Sequence, residues 1–428
     1  MGRGSGKPRA ITGRDRVLAI RRSRSPALTQ TNVWLVNDAY LLSAPGTRAL
    51  PGQEADDASI AIFRLLGLAT SIASGCVVRC LSSVLPMRIA LDAMGGDYAP
   101  KNTIEGAALA LKGLPEIEKL VLVGSTSAVE AELQRVGCQD SRIEILHTTE
   151  VVDMSESAAR AVRQKRDSSV SRSIDLVKNS TVQAMVSAGH TGAVVAGSVL
   201  KLRTLPGVIR PAVACLIPTE TKVFVLIDAG ANPDSDAHHM VQFAIMGSIY
   251  ARYVLGRQNP RIGLMSIGEE DTIGNETTKE AFKLLKRTRL NFYGNIEGFD
   301  LFANPVDVVV CDGFTGNVVL KTAEAAAQAI FASLKHQLFK NPIRKLGASF
   351  AKGAFQTIRR KMNPDTYGGS QLLGVNGICI IAHGASSPLA IKNAIRAAAD
   401  SIKYELNPQI TKEIEASEAS LKEVGAGS

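Results

Sequence analysis

Residues 87–100 read MRIALDAMGGDYAP, and this stretch contains the local pattern that decides the fold. The apolar, β-prone run at 88–93 predicts a strand, which Gly95-Gly96-Asp97 ends. Pro100 then opens a segment of helical composition at 102–112. The first N–H groups of a helix have no internal acceptor, so a glycine-rich turn between a strand and a helix is a ready anion site.

Six later segments repeat this order of a short apolar run, a glycine or aspartate, and helix-like sequence. They lie at 120–124, 184–189, 223–230, 261–268, 306–313 and 377–384. Continuous apolar strands separated by helix-length segments indicate a sheet that is buried on both faces. The predicted fold is therefore α/β, a doubly wound and largely parallel sheet with helices on both faces.

Ligands of such sheets bind outside the carboxyl ends of the strands. Polar and glycine-rich loops follow the predicted strands at 95–97, 187–192, 228–232, 268–275, 312–317 and 383–387. One glycine after a strand is usually only a turn, whereas six such loops favour one shared anion-binding cleft.

The composition of the 428 residues, 45% hydrophobic and 21% charged, is that of an ordinary globular protein. Residues 1–86 differ, because 11 Lys and Arg stand against 5 Asp and Glu and the apolar runs lack a sustained period. We expect residues 1–86 to be disordered, or translation to start at Met87; a transit peptide or a membrane anchor is the alternative. Residues 87–408 are the predicted catalytic domain, and 409–428 are a predicted tail with a surface helix.

Several common chemistries have no motif in the chain. GxGxxG, GxxxxGK[ST] and GxSxG are absent, and no His is followed by Asp five places later. The six cysteines show no paired metal spacing, which favours reduced thiols in the cytosol and no metal site. The basic N-terminus has no aromatic interleaving or RNA-binding motif, so no nucleic-acid partner is expected. We therefore expect the protein to act through positioned backbone amides and charged groups.

Eight motifs in fixed order together resemble the bacterial phosphate acyltransferase (PlsX) family, from Met87 to about residue 406. They are LDAMGGDYAP, RAVRQKRDSS, VSAGHTGA, DAGAN, IGEEDTIGNE, VVVCDGFTGNVVLKT, YGGSQLLG and AHGASS. The resemblance implies transfer of a fatty acyl group from acyl carrier protein to inorganic phosphate, which gives acyl phosphate for phospholipid synthesis. A membrane acyl-phosphate:glycerol-3-phosphate acyltransferase would use that product.

The resemblance also implies a phosphotransacetylase/isopropylmalate-dehydrogenase-like fold, a homodimer, no cofactor, and a cytoplasmic enzyme peripherally associated with the membrane.

The residues of the chain fit acyl transfer from a thioester to phosphate. Phosphate is an ionised nucleophile at neutral pH, and an ordinary thiol leaving group has a pKa of about 8.5, so neither a serine–histidine pair nor a strong acid is needed. The enzyme must hold two charged partners together and stabilise an oxyanion.

The candidate site residues follow from the motifs. Phosphate binding is assigned to Gly95, Gly96, Asp97, Ser187, Gly189, His190 and Thr191, and countercharge to Lys165 and Arg166, which precede Ser168 and Ser169. Asp92, Asp228, Asn232, Asn275, Asp312 and Asn317 would orient this shell, with Gly313 and His383 beside it. Within these sets, Asp92, Lys165, His190, Asp228, Asn232 and Asp312 are the catalytic candidates.

Alternatives stay open for several of these residues. Asp92 could cap the following turn, Lys165 and Arg166 could form a solvated helix face, and His383 could be a structural histidine at a strand end. His190 departs from the family, which more commonly has Asn at that position. Both side chains can donate a hydrogen bond, but histidine adds a sensitivity to pH.

Residues 325–364 contain eight basic residues and no acid, with apolar residues interleaved at spacings of about three to five. The basic residues are Lys335, Lys340, Arg344, Lys345, Lys352, Arg359, Arg360 and Lys361. Breaks at Asn341-Pro342 and Gly353 predict a basic amphipathic helical hairpin at about 333–362. Such a hairpin suits acyl carrier protein, which is acidic, or an anionic membrane surface. A dimer-packing helix pair is the alternative.

Two other functions are compatible with parts of the sequence. A phosphotransacetylase-type enzyme that uses acyl-CoA would fit the same fold, although the basic hairpin favours a carrier protein. A non-enzymatic membrane or nucleic-acid binder would leave the six polar strand ends unexplained.

Overall fold

The structure, a computed structural model, describes residues 87–303 and 306–426, so the predicted extension at 1–86 lies outside the described residues. Eleven strands form one sheet in this part of the chain. They are β1 (Met87–Asp92), β2 (Ile117–Gly124), β3 (Ile143–His147), β4 (Ala184–Ser187), β5 (Ala212–Pro218), β6 (Val223–Ile227), β7 (Ile262–Met265), β8 (Phe292–Ile296), β9 (Val308–Val310), β10 (Ser370–Leu373) and β11 (Ile378–Ile381).

The helices alternate with these strands. They are α1 (Lys101–Gly113), α2 (Thr126–Val136), α3 (Ala158–Gln164), α4 (Ser169–Lys178), α5 (Thr191–Leu202), α6 (Ala237–Tyr253), α7 (Glu276–Leu285), α8 (Gly313–Leu338), α9 (Pro342–Phe350), α10 (Lys352–Met362), α11 (Pro388–Lys403) and α12 (Leu406–Ala426). Every segment predicted as a strand contains one, and the predicted α/β class is confirmed.

The strand order is β3-β2-β1-β4-β11-β10-β5-β6-β9-β7-β8. All pairings are parallel except three in the middle, where β10 runs antiparallel to both neighbours and β5 runs antiparallel to β6. The β5–β6 pairing reverses the direction of the second half of the sheet. Strands β1, β4 and β11 therefore end at one edge of the sheet, and β6, β9 and β7 end at the opposite edge.

Helices cover both faces, as a doubly wound sheet requires. In the first half, α1, α2 and α11 bury Ile104, Val129 and Ile391 against one face. The other face is covered by α3, α4 and α5, through side chains such as Ile174 and Val194. In the second half of the sheet, α6, α7 and α12 cover one face. Helix α8 covers the other face, against which Val319 and Leu320 pack.

The predicted tail at 409–428 continues a helix that packs one face against the rest of the protein. Helix α12 begins before it, at Leu406, and Ile410 and Ile414 are fully buried in the same cluster as α6. The Tyr253 hydroxyl also lies 3.0 Å from Gln409 Oε1. The first half of α12 is therefore part of the hydrophobic core of the second half of the sheet.

The predicted basic hairpin consists of α9 and α10, which follow the long helix α8. The Asn341 side chain accepts a hydrogen bond from the Arg344 amide and so caps α9, which explains the break at Asn341-Pro342. The second break falls at Ala351, so Gly353 lies within α10 and does not separate the helices. No helix within 87–303 or 306–426 is both long enough and apolar enough to cross a membrane.

Close packing of α1 on α11 depends on Gly106. A Cβ at this position would lie 2.5 Å from Ile391 Cβ and 2.8 Å from the Pro388 carbonyl oxygen. Gly106→Ala should therefore destabilise the protein by about 1–3 kcal/mol in urea unfolding, because overpacking outweighs the better helix propensity of alanine.

Gly347→Ala is the matched control, since an added Cβ there meets no atom within 4 Å. Its unfolding midpoint should not fall. Equal stability of the Gly106→Ala protein and the wild type would show that α1 and α11 can separate at no cost.

Candidate functional site

Three loops meet at one edge of the sheet, because β1, β4 and β11 are neighbours that run in the same direction. We call residues 92–97, 187–191 and 383–387 the first loop cluster. The Asp97 amide donates to the Gly384 carbonyl oxygen at 2.8 Å. A Cβ at Gly95 would lie 2.7 Å from the Gly189 nitrogen, so only glycine permits this approach of two backbones. The three loops thus form one compact surface.

Asp92 is the buried centre of the first loop cluster, with 1% of its surface exposed. Its Oδ2 accepts a hydrogen bond from Ser187 Oγ at 2.7 Å, and its Oδ1 accepts from the Met94 amide. Ser187 Oγ in turn accepts from the Gly189 amide. Burial raises the pKa of Asp92, although hydrogen bonds from Ser169 and Ser187 oppose the shift. The carboxyl group therefore joins the β1 loop to the β4 loop.

His190 caps the N-terminus of α5. Its Nδ1 accepts from the Ala193 amide at 3.3 Å, so Nε2 carries the proton of the neutral ring and donates to the Glu156 carbonyl oxygen at 3.0 Å. Both ring nitrogens are engaged within the protein. Thr191 is exposed at the first position of α5, and the leading amides of that helix have no intrahelical acceptor.

Lys165 does not present a free charge. Its Nζ donates to the Val151 carbonyl oxygen at 2.8 Å and to the Glu156 carboxylate at 2.5 Å. Together with His190, Lys165 therefore holds the loop at 151–156 in place. Arg166 is exposed to solvent. The nearby serines are buried, Ser168 at the N-cap of α4 and Ser169 as a hydrogen-bond donor to Asp92.

A second loop cluster, at 228–232 and 312–317, lies at the opposite edge of the sheet, where β6 and β9 end. Asp228 is fully buried, and its carboxylate accepts from the amides of Val213, Gly230, Ala231 and Asn232 and from Asn232 Nδ2. Burial raises the pKa of Asp228, and hydrogen bonds from the Ala231, Val213 and Gly230 amides and from the Asn232 side chain oppose the shift. Asn232 Nδ2 also donates to the Pro211 carbonyl oxygen. The Asp228 carboxylate and the Asn232 amide nitrogen thus shape this turn.

Other predicted site residues lie at this edge as well. Asp312 caps α8 through the Thr315 amide and hydroxyl, and Asn275 caps α7 through the Thr278 amide. The Gly313 amide donates to the Asn232 carbonyl oxygen, and Asn317 lies beside Gly230.

The prediction of one shared cleft for all six loops is therefore wrong. The first loop cluster contains Asp92, Gly95, Gly96, Asp97, Ser187, Gly189, His190, Thr191 and His383, whereas Asp228, Asn232, Asn275, Asp312, Gly313 and Asn317 lie at the other edge. The physical reason is the antiparallel β5–β6 pairing, which no local pattern of apolar and polar residues indicates.

The first loop cluster also makes hydrogen bonds to residues outside it, and these contacts involve residues that were not among the candidate site residues. Asn102 Nδ2 donates to the Ser386 carbonyl oxygen at 3.0 Å, and Ser387 Oγ donates to Asp365 Oδ2 at 2.6 Å. Ser387 also caps α11, with Pro388 in its first turn. The Ser-Pro pair was the available signal, because it marks a helix start directly after a strand. Within 87–303 and 306–426, no group of three His, Cys, Asp or Glu residues could hold a metal ion.

The raised pKa of Asp92 predicts a pH-dependent stability difference between the wild type and Asp92→Asn. The folded-state pKa lies above the unfolded value of 3.8, so the stabilisation present at low pH is lost as pH rises through the folded pKa. The free energy of urea unfolding of the wild type, relative to the variant, should therefore decrease as the pH rises above the unfolded pKa of 3.8.

The titration of the other groups contributes equally to both free energies of unfolding and cancels in their difference, because the two proteins differ at one position. A relative stability that increases with pH would mean that the hydrogen bonds to the ionised carboxylate outweigh its burial.

Comparison with known proteins places the chain in a family. A family model described as "Fatty acid synthesis protein" matches residues 87–408. The phosphate acyltransferase of Akkermansia muciniphila is 47% identical over 334 residues, which are 77% of this chain and 96% of that protein. That of Pelotomaculum thermopropionicum is 45% identical over 341 residues, 80% of this chain and 98% of its own length.

Among solved structures, a phosphotransacetylase from Streptococcus pyogenes has the same fold, with a TM-score of 0.50 and 19% identity, over 78% of this chain and 98% of its own. These findings confirm the resemblance to phosphate acyltransferases. The chain belongs to the fatty acid synthesis protein family, and it is an acyltransferase enzyme.

Proposed function

We propose that the enzyme transfers a fatty acyl group from acyl carrier protein to inorganic phosphate, and that the acyl phosphate serves phospholipid synthesis. The observation that carries the proposal is the first loop cluster, in which three glycine-containing strand ends and the N-terminus of α5 converge. Oriented amides at a helix start favour an anion such as phosphate. Family membership supports the acyl transfer.

Phosphate is proposed to bind at the N-terminus of α5, against Gly95, Gly96 and Gly189. The absence of side chains at these glycines lets the loops pack closely together, and the amides at the start of α5 are the proposed donors to the anion. Asp92 is a positioning residue, because its hydrogen bonds fix the β1 and β4 loops relative to each other. The capping contact of His190 similarly fixes the start of α5.

The proposed reaction is one displacement at the thioester carbonyl. A phosphate oxygen forms a bond to the carbonyl carbon, the carbon–sulfur bond breaks, and the thiol of the carrier protein leaves. The developing oxyanion needs hydrogen-bond donors that are already in place, and backbone amides are suitable donors. Neither a covalent intermediate nor a protein nucleophile is part of this scheme.

The basic hairpin is proposed to dock acyl carrier protein, and its attachment supports this. Lys361 Nζ donates to the Glu220 carbonyl oxygen in the β5–β6 turn, and the Tyr367 hydroxyl donates to the Lys361 carbonyl oxygen. Asp365, which follows α10, accepts from Ser387 in the first loop cluster. A carrier protein on the hairpin would thus be at the same edge of the sheet as the proposed phosphate site.

Exposed apolar residues support two further proposals, a homodimer and contact with the inner face of the cell membrane. Ile330 on α8 is 66% exposed, and Ile343 and Phe350 on α9 are 83% and 85% exposed. Apolar side chains among basic ones suit an anionic membrane surface. A membrane position would also bring the product close to a membrane acyl-phosphate:glycerol-3-phosphate acyltransferase.

The test of the function is thioester loss from acyl carrier protein, measured with and without phosphate. We expect turnover only with phosphate, and acyl phosphate as the product. Gly189→Ala should lower kcat/KM for phosphate by about 10- to 100-fold, because its Cβ would lie 3.2 Å from Ser187 Oγ and 3.3 Å from Asp92 Oδ2. Its thermal stability should change little.

Gly113→Ala is the control, since its added Cβ would make only ordinary contacts with Lys392. Thioester loss that does not depend on phosphate would refute the proposed reaction. Faster turnover of acyl-CoA than of acyl carrier protein would favour the phosphotransacetylase-type alternative.

Carrier docking is tested by charge reversal at Arg359 and Arg360, which are exposed on α10. The double change to Glu should raise KM for acyl carrier protein by about tenfold at low salt, and less at high salt, where screening weakens surface charges. Turnover of a short soluble thioester should be unchanged.

Lys283→Glu with Arg287→Glu is the matched control, because both residues are exposed on the other half of the sheet. An unchanged KM in the Arg359 and Arg360 variant at low salt would exclude the hairpin as the docking surface.

A further inference from the structure

Residues 151–156 lie against the start of α5, and we call this segment the strap. His190 Nε2 donates to the Glu156 carbonyl oxygen at 3.0 Å, and Lys165 Nζ donates to the Val151 carbonyl oxygen at 2.8 Å. Just beyond the strap, a Cβ at Gly192 would lie 3.1 Å from Ala158 Cβ, so the start of α3 packs on the first turn of α5. The strap is therefore held beside the helix start at which phosphate is proposed to bind.

The polar side chains of the strap are engaged within the protein. Glu156 Oε1 accepts from the Asp153 amide at 2.8 Å, and its carboxylate is paired with Lys165. Asp153 Oδ1 accepts from both the amide and the hydroxyl of Ser155. These contacts fix the conformation of the strap and leave its apolar side chains as the groups that it offers to a ligand.

Two apolar residues of the strap are exposed to solvent, Met154 at 53% and Val151 at 43%. Met154 lies inside the turn that the Glu156 amide closes by donating to the Asp153 carbonyl oxygen at 3.2 Å. Because consecutive Cα atoms are about 3.8 Å apart, the Cα of Met154 lies within about 8 Å of that of Glu156, which contacts His190. An exposed apolar side chain is thus placed beside the proposed anion site.

The proposed reaction brings an apolar chain to the same point. A phosphate oxygen must bond to the thioester carbonyl carbon, so the acyl chain begins one bond away from the atom that phosphate attacks. Each methylene group of that chain that is removed from water favours binding. The unbranched thioether side chain of methionine adapts to irregular apolar surfaces, which suits a flexible chain.

We propose that the strap binds the acyl chain of the substrate, with Met154 as the main contact and Val151 beside it. Met154 is thereby a specificity-determining residue, which favours long acyl chains over short ones. This assignment rests on the proposed function, because it takes the phosphate position at the start of α5 as its point of reference. It goes beyond that function by naming the residues that distinguish a long chain from a short one.

Alkylphosphonates carry an anionic head group on an apolar chain, so they test the strap without turnover. The full-length protein is titrated calorimetrically with octylphosphonate and with methylphosphonate, in the absence of lipid. The wild type should bind octylphosphonate at least about tenfold more tightly, because the strap removes part of its chain from water. Met154→Ser should lower this affinity ratio by about fivefold, whereas Met154→Leu should retain it, since leucine is apolar and of similar volume.

Leu200→Ser is the matched control. Leu200 is 56% exposed, like Met154, but it lies in the last turn of α5, about 14 Å along the helix from Thr191. Its affinity ratio for the two phosphonates should equal that of the wild type. Circular dichroism checks that each variant is folded.

The same comparison in turnover uses hexadecanoyl and butanoyl acyl carrier protein with phosphate. The ratio of kcat/KM for the long chain to kcat/KM for the short chain should fall by about fivefold in the Met154→Ser protein. Damage to the fold would instead lower both values together and leave their ratio unchanged. Absence of phosphate-dependent turnover in the wild type would refute the proposed function, and phosphonate binding would still decide whether the strap binds the chain.

Equal binding of the two phosphonates to the wild type would overturn the proposal, as would the absence of octylphosphonate binding at millimolar concentration. An affinity ratio in the Met154→Ser protein that equals that of the wild type would overturn it as well. An effect of Met154→Ser that appears only when lipid vesicles are added would assign the strap to a membrane surface and would also contradict the proposal.

Discussion

The antiparallel pairing of β5 with β6 is the constraint on which the rest of the structure depends. Ala214 pairs with Ile227 in the middle of the sheet, and beyond this point every strand of the second half runs in the opposite direction. Two sets of strand ends result, one at each edge. The glycine-rich edge of the first half is where we propose that phosphate binds, whereas the corresponding edge of the second half holds the hydrogen bonds around Asp228.

Local features of the fold were predictable from the sequence, because they depend on residues close together along the chain. The apolar strands, the glycine turns and the amphipathic hairpin belong to this class. Short strands such as β10 and β8 were missed, since SQLL and FYGNI have no continuous apolar pattern and form strands only by pairing with distant partners. The direction of β6 was not predictable either, because it depends on tertiary pairing.

In the candidate site, too, some features were predictable from local sequence and others depend on the tertiary structure. Asp92 and Ser187 were identified from their own motifs, but their hydrogen bond joins residues 95 positions apart and could not be foreseen. Lys165 and His190 are predicted from their motifs as catalytic candidates, Lys165 as countercharge and His190 as a phosphate ligand. Their engagement with Glu156 depends on how the loop at 151–156 folds back, which single-sequence patterns do not specify. Sequence motifs thus predict which residues have side chains suited to binding or catalysis. The tertiary structure decides which of these side chains are already held by hydrogen bonds within the protein.

The position of β10 and β11 has a consequence for how the protein is made. Residues 370–381 form the two strands between β4 and β5, in the centre of the sheet, although they follow the other nine strands of the sheet in chain order. On the ribosome, the two halves therefore emerge with their inner edges unpaired, and unpaired strand edges promote aggregation. Closure of the sheet also joins segments that are far apart in sequence, which makes folding slow. This architecture would consequently benefit from a chaperone that shields β4 and β5 until translation is nearly complete.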